Sequence, residues 1–285
     1  MAICFSRANI FIRNFNNNMI LDLVRPEVRF SQSVAKGSAA DRHNKVVQIS
    51  DKIFQALSEH INKEKISVED MYSVLDRVLP ESKPIRIVSY KKDGSRCCSV
   101  DYIEKNGAFV GQEIAVPIKK RKMESKYLPM YMHELTHALD ILFNPKYTLR
   151  TKIMEKTKMY DTRYDKFFDE TLYRWENFST EEEKSEILKK RKKEMKKLLS
   201  HKTLDEKINC VQEMRGVLIS EINAYNAEKK YALQMEKKGQ SVCQDSTKST
   251  DAYLFKEKLK LLNELCFSII KSERNNLKKK KSATV

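Results

Sequence analysis

Turn-forming residues are scarce in this chain, with six glycines and six prolines among 285 residues. Glycine supplies positive φ and proline presets φ in tight turns, so a chain this poor in both cannot build a many-turned β-sandwich. It must run in long regular elements, mostly helices. The apolar pattern agrees. Val46, Ile49, Ile53, Phe54, Leu57 and Ile61 recur at helical spacing and predict a helix from Asp41. Ser67, with Asp70 three residues on, predicts a second helix opened by a capping box. Its apolar face is Met71, Val74, Leu75 and Val78, and Pro80 and Pro84 end it. Further helices are expected at about 151–176, 180–200, 204–238 and 251–273.

One stretch reads as β. Ile85–Tyr90 is β-branched and aromatic, a Lys92–Gly94 turn leads to Cys98–Ile103, and Asn106-Gly107 is a hairpin signal before Ala108–Ile118. The expected fold class is therefore α+β, mainly α, with a small mixed β-sheet read as a three-stranded meander. Residues 1–40 are expected to be a poorly structured N-terminal segment. Residues 41–275 are expected to form a single domain, with helices and sheet in 41–143 and a helical part in 144–275. Residues 276–285 are expected to be a basic tail.

Charge and cysteines narrow the setting. The net charge is +16, from 55 Lys+Arg against 39 Asp+Glu. That balance suits nucleic acid or an anionic surface, but the lysines lie among glutamates on helical stretches and read first as solvated faces. The run Lys189–Lys197 has no interleaved aromatic residues on which bases could stack. The six cysteines include no CxxC pair, so reduced thiols are expected. Arg7 and Arg13 interrupt the N-terminal apolar stretch, and no window reaches the apolar length needed to span a bilayer. The expected location is cytoplasmic, or outside the cell by a route without a classical leader.

The motif that carries chemistry is His133-Glu134-Leu135-Thr136-His137, an HExxH on an expected helix from Pro129 to about Phe143. Residues i and i+4 lie one turn apart on one face, so two imidazoles can reach one ion about 2.0–2.1 Å from each nitrogen. Met132, Leu135, Ala138, Leu139 and Leu142 form an apolar stripe, with His133, His137 and Asp140 roughly opposite. Asp140 is a candidate to orient a ligand imidazole through its second nitrogen. A zinc site needs a third protein ligand, and His43, His60 and His201 have no flanking pattern that recommends them. On the 204–238 helix, Leu218, Glu221, Tyr225 and Glu228 share a face, and Glu221 lies among apolar residues where a carboxylate needs a partner. Glu221 leads as third ligand, Glu228 follows, and Asp169 or Glu170 stands behind them.

The string HELTH followed by Ala138, Asp140 three residues beyond the second histidine, and the downstream Glu221-Ile-Asn-Ala224 resemble the gluzincin branch of the zincin metallopeptidases. The string is shared with thermolysin-like enzymes, and the Asp and Glu-x-x-Ala pattern with lethal-factor-like toxin peptidases. The resemblance covers about 105–230. It implies a zincin-like core, one Zn²⁺ ion held by His133, His137 and Glu221, and Glu134 as the general base. It also implies a peptide or protein substrate laid along an edge strand, which would make Ala108–Ile118 that edge. The metzincin pattern is absent. Tyr225 is a candidate donor to a developing oxyanion. The expected function is zinc-dependent peptide hydrolysis. The rival expectations are a basic helical protein that binds nucleic acid or an anionic membrane, and a zinc-bound but inactive zincin.

Overall fold

The computed structural model describes residues 39–60, 64–79, 85–89, 99–105, 108–143, 167, 168, 170–172, 180–243, 246, 247 and 251–282. The expectations for residues 1–38, for the Lys92–Gly94 turn, for Asn106-Gly107 and for most of 151–176 lie outside them. The chain is mainly helical with a small share of sheet. Its contacts divide it into two compact units, 1–145 with 224–249, and 146–223 with 250–285.

In the first unit, α1 (Ala39–Ser58) buries Val46, Ile53, Phe54 and Leu57 on one face, as the spacing requires. β1 (Lys65–Ser67) leads into α2 (Val68–Val78) through the expected capping box. The Ser67 hydroxyl accepts from Asp70 N–H at 3.0 Å, and Asp70 Oδ2 accepts from Ser67 N–H at 3.3 Å. β2 (Ile85–Ser89), β3 (Ser99–Lys105) and β4 (Ala108–Val116) form one sheet in the order β2-β4-β3. The expected meander is corrected here. β3 and β4 are an antiparallel pair, but β2 runs parallel to β4, with Ile87 opposite Ile114, on the side away from β3. Apolar alternation specifies faces, not neighbours, so it could not reveal a parallel pair separated by β3 in the chain.

A second small sheet, order β1-β6-β5, was not expected. β5 (Ile118–Lys119) and β6 (Lys122–Glu124) are joined by Lys120 and Arg121, with φ of 51° and 59°. A two-residue hairpin loop asks for positive φ at both positions, and Asn or Gly normally supplies it. Here lysine and arginine do, inside what reads in sequence as a basic run. The Arg121 carbonyl then accepts from Val68 N–H at 3.0 Å, and its guanidinium pairs with Glu69 at 2.6 Å, so the turn is tied to the start of α2.

A 3₁₀ turn at Ser125–Tyr127 leads into α3 (Leu128–Phe143), the HExxH helix. α3 packs on β3 and β4 and against α1. The amide of Gln112, fully buried on β4, donates to the Ala138 carbonyl at 2.8 Å, which fixes the helix along the sheet. The last part of α5 (Leu204–Lys237) completes this unit. Tyr231 stacks on Phe54 with ring centroids 4.4 Å apart, and its hydroxyl donates to Asp51 of α1 at 2.8 Å. Gly239, at φ 70°, ends α5. Gly239 N–H and Gln240 N–H return to the carbonyls of Glu236 and Met235.

The second unit is helical. It holds helical residues at 167, 168 and 170–172, α4 (Glu181–Leu198), the first part of α5, α6 (Asp251–Leu262), a π turn at Asn263–Phe267 and α7 (Ser268–Ser282). Phe167, Met195, Met214, Leu262 and Ile269 lie in its core. The basic tail expected from 276 is instead helical through Ser282, because Lys278–Lys281 continue the α7 pattern without a breaker.

Candidate metal centre

α3 is buried nearly all round, which a surface amphipathic helix is not. Tyr131, Met132, Leu135, Ala138 and Leu139 are fully buried, and the partly open positions are Met130, Glu134, His137, Asp140 and Phe143. Met130, Glu134, His137 and Asp140 follow one another at three or four residues and form one stripe. By helical angle His133 belongs to the same stripe, yet it is only 8% exposed. Two α5 residues account for that. The Tyr225 ring meets His133 edge-on at 4.5 Å between centroids, and Glu228 Oε2 lies 3.0 Å from His133 Nδ1.

His133 thus turns Nδ1 to Glu228 and Nε2 to His137, whose own Nε2 is 3.2 Å away. One ligand atom each of His133, His137 and Glu221 lies within 4.8 Å of the other two. Glu221 stands one turn before Tyr225 on the uninterrupted α5 helix, so its position follows from that helix.

The two imidazole nitrogens are spaced as a pair of zinc ligands would be. Two nitrogens at about 2.0–2.1 Å from one ion, at a tetrahedral angle, stand about 3.3 Å apart, and the two Nε2 atoms stand at 3.2 Å. A zinc ligand must be a neutral imidazole. Burial, and then the neighbouring His133, hold the His137 pKa well below the usual histidine value. Glu228 is also perturbed. Burial alone would raise its carboxyl pKa, but the His133 imidazole beside it and then the Ser246 hydroxyl outweigh burial and leave it lowered.

The sequence-derived residues divide as follows. His133, His137 and Glu221 come together, with Tyr225 against them. Glu134 and Asp140 lie on the open stripe of the same helix. Glu228, the runner-up third ligand, meets the far nitrogen of His133 rather than the converging atoms. Glu170 pairs with Arg191 at 3.6 Å in the second unit, and Asp169 lies outside the described residues. Ser246 is not legible in the sequence, because a lone serine in a polar stretch carries no signal. His43 and His201 are exposed, and His60 pairs with Asp70 at 3.8 Å.

The proposed substrate edge needs correction. β4 is the central strand, and the expected edge is closed over Gln112–Ala115, which pair on both sides, while Ala108–Gly111 lie opposite β3 alone among the described residues. Among the described residues the sheet's edges are β2, where Ile87 N–H donates to the Tyr72 hydroxyl of α2 at 2.8 Å, and β3.

Elsewhere, the α4 lysines Lys189, Lys190, Lys192, Lys193, Lys196 and Lys197 are exposed, as a solvated face would be. Among the described residues no helix is long and apolar enough to cross a membrane. Compared with family models, with curated proteins and with solved structures, the chain matches none of them.

Proposed function

We propose that this chain is a zinc-dependent peptidase with a zincin-like core, its metal held by His133, His137 and Glu221. One observation carries the reading: ligand atoms of these three residues, contributed by an HExxH helix and a downstream Glu-x-x-Ala helix, converge within 4.8 Å. A Zn²⁺ ion held there supplies Lewis acidity, polarising a scissile carbonyl and lowering the pKa of water to about 7. Glu134, next to His133 on the open stripe of α3, accepts the water's proton and returns it to the leaving amine. Tyr225, whose ring packs on His133, is the candidate donor to a developing oxyanion. A peptide adds as a further strand at β3, the edge that packs on α3, in place of the β4 edge first expected.

Zinc content, measured by atomic emission on dialysed wild type, His137→Ala and Glu221→Ala, tests the site. One zinc per chain in wild type, lost in both variants, is the expected result. No zinc in wild type after reloading removes the peptidase reading. The exposed lysine face of α4 would then favour the rival reading, binding to an anionic polymer or surface. That reading expects affinity for a mixed-sequence oligonucleotide or anionic vesicle to fall steeply with salt.

A further inference from the structure

We propose that the second unit carries a docking surface for an anionic lipid bilayer. The surface is the lysine face of α4, formed by Lys189, Lys190, Lys192, Lys193, Lys196 and Lys197. It belongs to the other compact unit from the metal centre, and lipid binding there does not depend on the peptidase reading.

Between Lys189 and Lys197 every exposed position is a lysine. The one acidic residue of that stretch, Glu194, accepts from the Arg191 guanidinium. Lys189, Lys192, Lys193, Lys196 and Lys197 follow the spacing of a single helical face, and Lys190 borders it. Among the described residues none of these ammonium groups has an ion-pair or hydrogen-bond partner. The N-terminal half of the same helix is built otherwise. Glu181, Glu182, Glu183 and Glu186 share it with Lys184, which pairs with Glu181 at 2.9 Å. That is the mixed composition of a face that is only solvated. Like charges one turn apart destabilise a helix, and Lys189 with Lys193, then Lys193 with Lys197, are such pairs. The helix dipole favours cations in the last turn alone, which accounts for Lys196 and Lys197 but not for the four lysines before them.

The other side of α4 fixes how the face is presented. Arg191, Met195 and Leu199 are buried, and Arg191 donates to Thr171 Oγ1 and to the Phe167 carbonyl. The helix therefore cannot roll an apolar side into a bilayer and presents charge alone. Charge alone suffices at an anionic lipid surface, where each lysine strengthens binding roughly fivefold. Lipids diffuse laterally, so headgroups collect under cations that are held in place. Nucleic-acid contacts draw on more than lysine: arginine forks, hydroxyl and amide side chains, stacking aromatics and helix N-termini. α4 has no aromatic residue, asparagine or glutamine, its one arginine is buried, and its first turn carries Glu181, Glu182 and Glu183. A lipid headgroup layer is thus the better match. Attachment of this kind is peripheral and is reversed by salt.

The test is co-sedimentation of the full chain with vesicles of equal parts phosphatidylcholine and phosphatidylserine, and with vesicles of phosphatidylcholine alone. Wild type is expected to bind the first and not the second, and to be released by salt. The triple variant Lys192→Gln, Lys193→Gln, Lys196→Gln is expected to bind roughly 100-fold more weakly, at about fivefold for each lysine. All three positions are exposed, so the fold is expected to survive, which circular dichroism checks. A control triple on the first unit, Lys52→Gln, Lys237→Gln, Lys238→Gln, removes the same charge from other exposed positions and is expected to bind as wild type does. A mixed-sequence DNA duplex, added at equal anionic charge, is expected to leave most of the chain on the vesicles. Three results overturn the proposal. The first is no binding to the phosphatidylserine vesicles at low salt. The second is equal weakening by the two triples, which would make net charge and not this face responsible. The third is displacement of most of the chain by the duplex, which would make the face a nucleic-acid surface. The zinc content of wild type alters none of these outcomes, so the metal reading can fail without this one.

Discussion

Each unit of this chain buries a charged cluster, and the two are built to opposite ends. In the second unit the buried guanidinium of Arg191 faces acceptors on all sides. Nε donates to Thr171 Oγ1 at 2.7 Å, Nη2 to the Phe167 carbonyl at 2.6 Å and Nη1 to Glu194 at 2.5 Å, while the Phe167 ring lies under the group at 4.0 Å. A planar cation with five donors is matched to the groups around it, which is what a structural cluster requires. In the first unit the cluster is built around paired imidazoles instead. Two imidazole nitrogens face each other at 3.2 Å, and behind one of them a carboxylate waits at 3.0 Å. A proton shared between the two nitrogens joins them as a hydrogen bond, and in the metal reading proposed above a cation takes that place.

The comparison breaks most visibly at Glu134. Glu134→Gln keeps the shape of the side chain and removes its ability to take a proton. The expected outcome is retained zinc, unchanged melting temperature and a roughly 10²- to 10⁴-fold loss of peptide cleavage, the usual contribution of a general base. A variant that cleaves as fast as wild type removes Glu134 from the chemistry.

Arg191→Leu attacks the other cluster. Glu170 and Glu194 are too open to contribute much, so the loss comes mainly from Thr171 Oγ1 and the Phe167 carbonyl, which lose the guanidinium while the Thr171 hydroxyl still donates to that carbonyl. The expected cost is roughly 3 kcal/mol in urea unfolding, with zinc per folded chain unchanged. If zinc binding falls in proportion to stability, the two clusters are not the separate devices described above.

What could be read in the sequence follows the range of the interactions involved. Helices α1, α2, α3 and α5 declare themselves because their periodicity and caps are local, and Ser67 with Asp70 is read directly from a spacing of three. His133 and His137 follow the same rule, one helical turn apart. The parallel pairing of β2 with β4 depends on which strands meet after Gln112 has docked on α3, so no local pattern contains it. The Lys120-Arg121 turn was missed because its residues are unsuited to positive φ and are held there by the β1-β6-β5 sheet. Glu228, the runner-up third ligand in the sequence, lies at the Nδ1 side of His133. Its place on the Glu221 face of α5 is local information, whereas the imidazole nitrogen it meets depends on how α3 and α5 pack. The burial of His133 is of the same kind, since only the packed Tyr225 and Glu228 distinguish it from His137.

The two units also share a device, and its loss gives the smallest and cleanest separation of them. Ser67 with Asp70 caps α2, and Thr180 with Glu183 caps α4 in the same reciprocal way. The difference is burial. The Ser67 box is partly buried, and its hydroxyl lies 2.7 Å from Asp70 Oδ2, whereas the Thr180 box is exposed and water can replace either partner. Ser67→Ala is expected to cost about 1 kcal/mol and Thr180→Ala about 0.5 kcal/mol, toward the low end for lost caps. Chemical unfolding followed by the loss of bound zinc and by helical signal reads the two in parallel. Ser67→Ala should shift the zinc-reported transition and Thr180→Ala should shift the helical signal with little effect on zinc, because the first cap opens the helix that packs with α1 around the HExxH helix and the second does not. Equal shifts of both signals by both variants would mean that the units unfold as one, and that the contrast between their clusters is one of chemistry only.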